Sequence, residues 1–366
     1  MIVKGGYVYQ EDKTFAEKDL YLENGVIVGS PEELTDRTEV DAAGLLVLPG
    51  LVDIHSHGAV GHDFSDGDME GLGKILAYEH SCGVTSYCPT SMTIGKDELR
   101  SIFKAMGDFR EEPGMAHVAG INMEGPFLDV EKKGAHLAEH ILAPDVSFFR
   151  ECNAASGNRI RLVTLAPNVE GAFAFIQELR DEVVISLGHT GADYETAKAA
   201  LQAGANHVTH LCNAMMPLEH RKPGLIGAAA EDEDCYPELI CDGIHVHESM
   251  VRAVFKLFPG RVVLISDSMR ATGMADGTYD LGGQQVTVSG KLATLASGTI
   301  AGSATNLYDC MRTAVSFGIP KEEAIAAATM NPAQSIGIYD KVGSLTPGKR
   351  ADVVLAERDL KLVRVL

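Results

Sequence analysis

Apolar and polar positions change their period twice along this chain. From residue 1 to about 48, short runs such as Tyr7-Val8-Tyr9, Leu20-Tyr21-Leu22 and Leu45-Leu46-Val47-Leu48 are separated by Gly5-Gly6, Asn24-Gly25 and Gly44. That is the pattern of short β-strands joined by turns. The far end repeats it, with a Gly- and Pro-containing turn from Gly343 to Gly348 leading into Ala351-Asp352-Val353-Val354-Leu355, and a last apolar stretch at Leu362-Val363-Arg364-Val365. Two β-rich ends around a different middle predict that residues 1–49 and 335–366 pair into one small β-sandwich domain.

Within 50–334, helical and strand periods alternate. Apolar strand-like runs end at His57 and recur over 84–88, 117–123, 161–165, 183–187, 207–209, 239–241 and 262–266; helical periods fill 69–82, 97–110, 172–180, 193–203 and 248–258. Near-continuous apolar strands separated by helices indicate parallel strands buried on both faces, and eight of them indicate a closed, TIM-like (β/α)8 barrel of the α/β class. Two segments depart from the alternation: a long insertion at about 125–150, and a Gly-, Thr- and Val-rich stretch at 277–299 that reads as a β-hairpin. Long loops after barrel strands are where this architecture keeps its sites.

Composition narrows the function classes. The 366 residues are 45% hydrophobic and 22% charged, a globular balance. A formal charge of −20 opposes binding to nucleic acid or to an anionic membrane surface, so an anionic substrate would need local cations. The start lacks a signal-peptide core, and no apolar run approaches the roughly 18 residues of a membrane span, so a cytoplasmic location is expected. The seven cysteines show no C-x-x-C spacing, which disfavours a thiolate metal site and a disulfide framework.

The chemistry gathers where strands end. His55 and His57, one residue apart on a strand, face the same side. Glu124, His189, His210 and Asp267 close the third, fifth, sixth and eighth strands, and in such a barrel strand C-termini share one rim. Nitrogen and oxygen donors without cysteine suit zinc, iron(II), manganese or cobalt. Six donors are enough for one or two divalent ions per subunit, with Glu124 as the natural bridge and a bound water brought to a pKa of about 7 as nucleophile. Asp267 is then the best-placed general base.

Several motifs carry a family resemblance: Leu48-Pro49-Gly50-Leu51-Val52-Asp53-Ile54-His55-Ser56-His57, Asn122-Met123-Glu124-Gly125-Pro126-Phe127, Leu187-Gly188-His189-Thr190, Thr209-His210-Leu211-Cys212-Asn213-Ala214-Met215, Cys241-Asp242-Gly243-Ile244-His245 and Ser266-Asp267-Ser268-Met269. In this order they resemble the amidohydrolase superfamily, and within it the deacetylases of phosphorylated N-acetyl amino sugars. The resemblance implies hydrolysis of the acetamide of N-acetylglucosamine 6-phosphate, with the galacto epimer as the alternative substrate. By the same resemblance Glu124, His189 and His210 hold the main ion, zinc first among the metals, and His55 and His57 supply a second site. Ala135 and His136 would lie beside the acetyl group; Asn213, Ala214, Arg221 and His245 would hold the sugar phosphate, near the interface of a homodimer; Ala301, Gly302 and Ser303 would form a further contact. The basic run His220-Arg221-Lys222 suits a phosphate on physical grounds as well. Cys212 stands where relatives carry an aromatic residue, and the fourth strand has no lysine to bridge two ions as a carbamate. The other seven histidines (His62, His80, His117, His140, His207, His220 and His247) are expected to be structural or solvated.

Overall fold

A computed structural model describes residues Met1–Leu366. The alternating middle forms eight parallel strands: Leu51–Ser56, Val84–Ser91, Ile121–Phe127, Ile160–Leu165, Val184–Leu187, His207–Val208, Tyr236–Ile240 and Val263–Ile265. They follow one another in space as in sequence. Ladder pairing runs from the first strand to the eighth, and the ring is joined by the Asp267 N–H, which donates to the His55 carbonyl at 2.9 Å. The helices pack outside, and the shared core is a cluster of 69 buried apolar residues.

The third strand differs from expectation. His117–Val118 forms a separate two-residue strand pairing with Ser86–Tyr87, and the barrel strand proper runs on to Phe127, past Glu124. Gly125 permits this course: its φ is +82°, and a Cβ there would run into Thr93 Oγ1.

Both chain ends enter one connected seven-stranded sheet, with Val353–Ala356 between Leu362–Val365 and Leu46–Pro49. The strand Ile2–Tyr9 pairs with Glu39–Asp41 through its first residues and with Leu46–Pro49 through Tyr7 and Val8, switching partner across a register shift between Val3 and Gly6. One strand thereby joins two neighbours within a single connected sheet, where a sandwich is expected from the sequence.

The 277–299 stretch is three strands rather than a hairpin: Gly277–Leu281, Gln284–Ser289 and Leu292–Leu295. Its core includes Met92 and Met269 from the barrel, which seats it over the rim. Helices at Val146–Ala155, Gly224–Glu231, Leu307–Ser316, Lys321–Ala328 and Met330–Ser335 lie outside the helical stretches expected from the sequence. In Lys321–Ala328 the last five residues are all buried, so no polar stripe exists to mark a helix. No helix is long and apolar enough to cross a membrane.

Candidate metal centre

His189, His210 and Asp267 follow the ends of their strands in the left-handed region, with φ of 47°, 28° and 48°. For residues with a Cβ this costs on the order of 1 kcal/mol each, and it turns the side chains towards the barrel axis. Hydrogen bonds hold the turns. Asp267 is pinned on both sides, by its N–H to His55 and by the Ser303 N–H donating to its carbonyl at 2.7 Å. The His210 N–H donates to Glu238 Oε2 at 3.1 Å.

The donors converge on Glu124, which is 2% exposed. Its Oε1 lies 3.1 Å from His189 Nε2, 3.0 Å from His210 Nε2 and 3.4 Å from His55 Nε2. Its Oε2 lies 3.2 Å from His57 Nε2 and 3.4 Å from His136 Nε2. Asp267 Oδ1 closes the second group, 3.3 Å from His57 Nε2 and 3.6 Å from His55 Nε2. Such separations are the edges expected between donors sharing an ion at bonds of about 2.0–2.2 Å.

The outer hydrogen bonds set the tautomers. His57 Nδ1 meets the Thr90 carbonyl at 3.1 Å, His189 Nδ1 the Lys132 carbonyl at 2.9 Å, and His55 Nδ1 the Glu238 carboxylate at 2.8 Å. In each case Nδ1–H donates, leaving the Nε2 lone pair inward, as a ligand requires. His55 Nε2 is buried with no hydrogen-bond partner, and His189 Nε2 lies 2.9 Å from His210 Nε2. A cation satisfies both features, so the residues fit a divalent metal. His136 is oriented the other way. The Thr93 N–H donates to its Nδ1 at 3.2 Å, so the proton sits on Nε2, which makes this ring a donor towards the site.

The electrostatics agree. Burial opposes charging His57, yet Asp267 and Glu124 outweigh it and push its pKa up to about 10. Burial, then His136 and His210, bring His189 down to about 4 despite the Glu124 carboxylate. Burial would raise Asp267, but its bond to His57 and the charge of His55 hold it below the ordinary carboxylate range, so it is an anion. The centre therefore selects positive charge between its carboxylates.

Above it opens a cavity of about 660 Å³ lined by His57, Glu124, His136, His189, His210 and Asp267, and by Ala135, Asn213, Ala214, His245 and Gly302. His245 is aimed by Asp242, whose Oδ2 accepts from its Nδ1 at 2.7 Å. Gly134, at φ +55°, lets the loop carrying Ala135 and His136 come close: a Cβ would stand 3.3 Å from His189 Cε1. Three expected contacts lie elsewhere. Arg221 lines a separate hollow with Tyr194, Pro217 and Lys222, so within one chain it does not reach this cavity. Ala301 and Ser303 are buried behind it, and Ser303 serves the backbone, its Oγ donating to the Ser266 carbonyl at 2.6 Å. Cys212, at φ +80°, has its thiol pushed up to about 11 by burial and is unreactive in that state.

Sequence reasoning missed Glu238, in the strand Tyr236–Ile240. Fully buried, it accepts from His55 Nδ1 and from the His210 backbone, tying the two donor groups together. A lone acidic residue in an apolar strand was the available signal. Glu238→Gln is expected to lower metal affinity by about 10–100-fold, measured as metal retained after dialysis against a chelator. Retention equal to the parent chain would leave Glu238 with a packing role only.

Residues 46–364 match the amidohydrolase family. The chain is 37% identical to N-acetylglucosamine-6-phosphate deacetylase of Bacillus subtilis, over 99% of this chain and 91% of that one. It is 34% identical to N-acetylgalactosamine-6-phosphate deacetylase of Escherichia coli O157:H7, over 100% and 97%. Its fold superposes with a TM-score of 0.91, at 32% identity and over 100% and 97% of the two chains, on a variant of the Mycobacterium smegmatis N-acetyl-D-glucosamine-6-phosphate deacetylase in complex with N-acetyl-D-glucosamine-6-phosphate. With its barrel, its rim of histidines and carboxylates and this full-length similarity, the chain belongs to the amidohydrolase family.

Proposed function

We propose that this chain is a metal-dependent deacetylase that hydrolyses the acetamide of N-acetyl-D-glucosamine 6-phosphate to D-glucosamine 6-phosphate and acetate. The observation that carries this reading is the Glu124-centred donor cluster at the floor of a cavity that also presents the His136 donor. Glu124, His189 and His210 would hold the principal ion, zinc first, and His55 and His57 with Asp267 a second. When bound, the ion supplies Lewis acidity towards the carbonyl and an activated water.

The chain's own residues supply the rest. His136 Nε2–H donates to the acetyl oxygen and stabilises charge developing there. Asp267, held ionised, takes the proton of the attacking water and returns it to the departing amine nitrogen. Asn213 and His245 hold the phosphorylated end, and Arg221, remote within its own chain, reaches a phosphate across a homodimer interface. A charged phosphosugar does not cross a bilayer unaided, which suits a cytoplasmic enzyme.

The test is acetate release from N-acetylglucosamine 6-phosphate with metal quantified in the same sample. Release abolished by chelation and restored by a divalent ion is expected; no release from metal-replete protein would overturn the substrate. The galacto epimer is the second reading, favoured by the full-length similarity to the E. coli O157:H7 relative. We expect kcat/KM to be higher for the gluco sugar, the substrate named for the relative that shares 37% identity, against 34% for the galacto relative. The reverse order would reassign the substrate.

A further inference from the structure

At the end of the barrel opposite the catalytic rim, a cavity of about 270 Å³ lies among the beginnings of the second, third and fourth barrel strands and the segment leading to the last strands. Its walls carry Arg159, Arg161, Lys341 and Arg350 against a single carboxylate, Glu111. That carboxylate is already engaged, at 2.6 Å from His117 Nδ1 and accepting from the Val118 N–H at 2.9 Å. Arg350 pairs through one nitrogen with Asp352 at 3.2 Å, while its buried Nη1 has no partner. Arg161 and Lys341 form no ion pair, and the guanidinium of Arg159 donates only to the Met106 carbonyl. In a chain of net charge −20, these four cations meet only Glu111 and the Asp352 partner of Arg350, which leaves an excess of positive charge around the hollow that an entering anion would balance.

A second observation points the same way. Ser86 lines this cavity, is fully buried, and its Oγ has no hydrogen-bond partner. An unpaired buried hydroxyl is costly, and a ligand oxygen would satisfy it. Three guanidinium forks and an ammonium match the oxygens of a phosphate group.

We propose that this cavity binds a small phosphate-bearing anion, either inorganic phosphate or a monophosphorylated sugar, at a site separate from the catalytic cavity. The site does not depend on the deacetylase reading and would stand if that reading failed.

The test is calorimetric titration of the metal-loaded full-length chain with inorganic phosphate and, separately, with glucose 6-phosphate. Arg161→Ala/Lys341→Ala changes exposed side chains outside the catalytic machinery, so fold and turnover should hold while binding of at least one probe weakens by about tenfold or more. Ser86→Ala should also weaken binding, yet leave the melting temperature without phosphate unchanged or higher, because the hydroxyl it removes is unpaired. The probe bound more tightly identifies the source of the anion. Parent-like binding of both probes by the double variant would place all binding at the catalytic face and overturn the proposal, as would no binding of either probe by the parent at millimolar concentration.

Discussion

Asp267→Asn is expected to lower kcat by about 10³-fold, the range a positioned acid–base contributes, while fold and the principal ion are retained. Asn is nearly isosteric and tolerates the left-handed region, so the φ of 48° and the backbone bonds to His55 and Ser303 survive. Its amide oxygen can still accept from His57 Nε2–H, on the ring that the two carboxylates hold protonated when no ion is bound. What disappears is the proton acceptor and one negative charge. Steady-state kinetics with elemental analysis of the same preparation checks this, and near-parental kcat would remove Asp267 from its role.

Glu124→Gln is expected to abolish both metal binding and turnover. The two carboxylate oxygens face two groups of imidazoles, and no other residue faces both in this way. A neutral amide cannot supply the charge that holds a divalent ion among neutral rings. A ligand at 100-fold excess over its Kd stabilises a folded chain by about 2.7 kcal/mol. Chelation should therefore lower the melting temperature of the parent chain and leave that of Glu124→Gln unchanged. A metal-replete Glu124→Gln chain would show that the remaining histidines suffice. Together the variants separate loss of proton transfer from loss of the ion.

The rim was legible because its logic is local and then topological. Period-two alternation sets His55 and His57 on one side, a run of apolar strands and helices closes a barrel, and a barrel gathers strand ends. The six candidate donors follow from those steps; the Nε2 atoms of the four histidines lie 3.0–3.4 Å from the Glu124 oxygens, and Asp267 Oδ1 lies 3.3 Å from His57 Nε2. Helices such as Gly224–Glu231 and Lys321–Ala328 escaped because burial on most sides erases the amphipathic stripe. Ala301 and Ser303 share a turn with Gly302, but only the glycine faces the cavity.

Residue order alone determined the eight-fold alternation, the β-rich character of both ends and the donor atoms available at the rim, because each depends on neighbours a few positions apart. Tertiary structure decided that Glu238 locks two histidine donors from 28 and 183 residues away, and that Thr93 reverses the tautomer of His136. It also decided that Arg221 stands outside its own chain's cavity and that four cations meet at the opposite mouth. These are distances between side chains remote in sequence, set by barrel closure and strand register, and no local pattern of hydrophobic and polar residues encodes them.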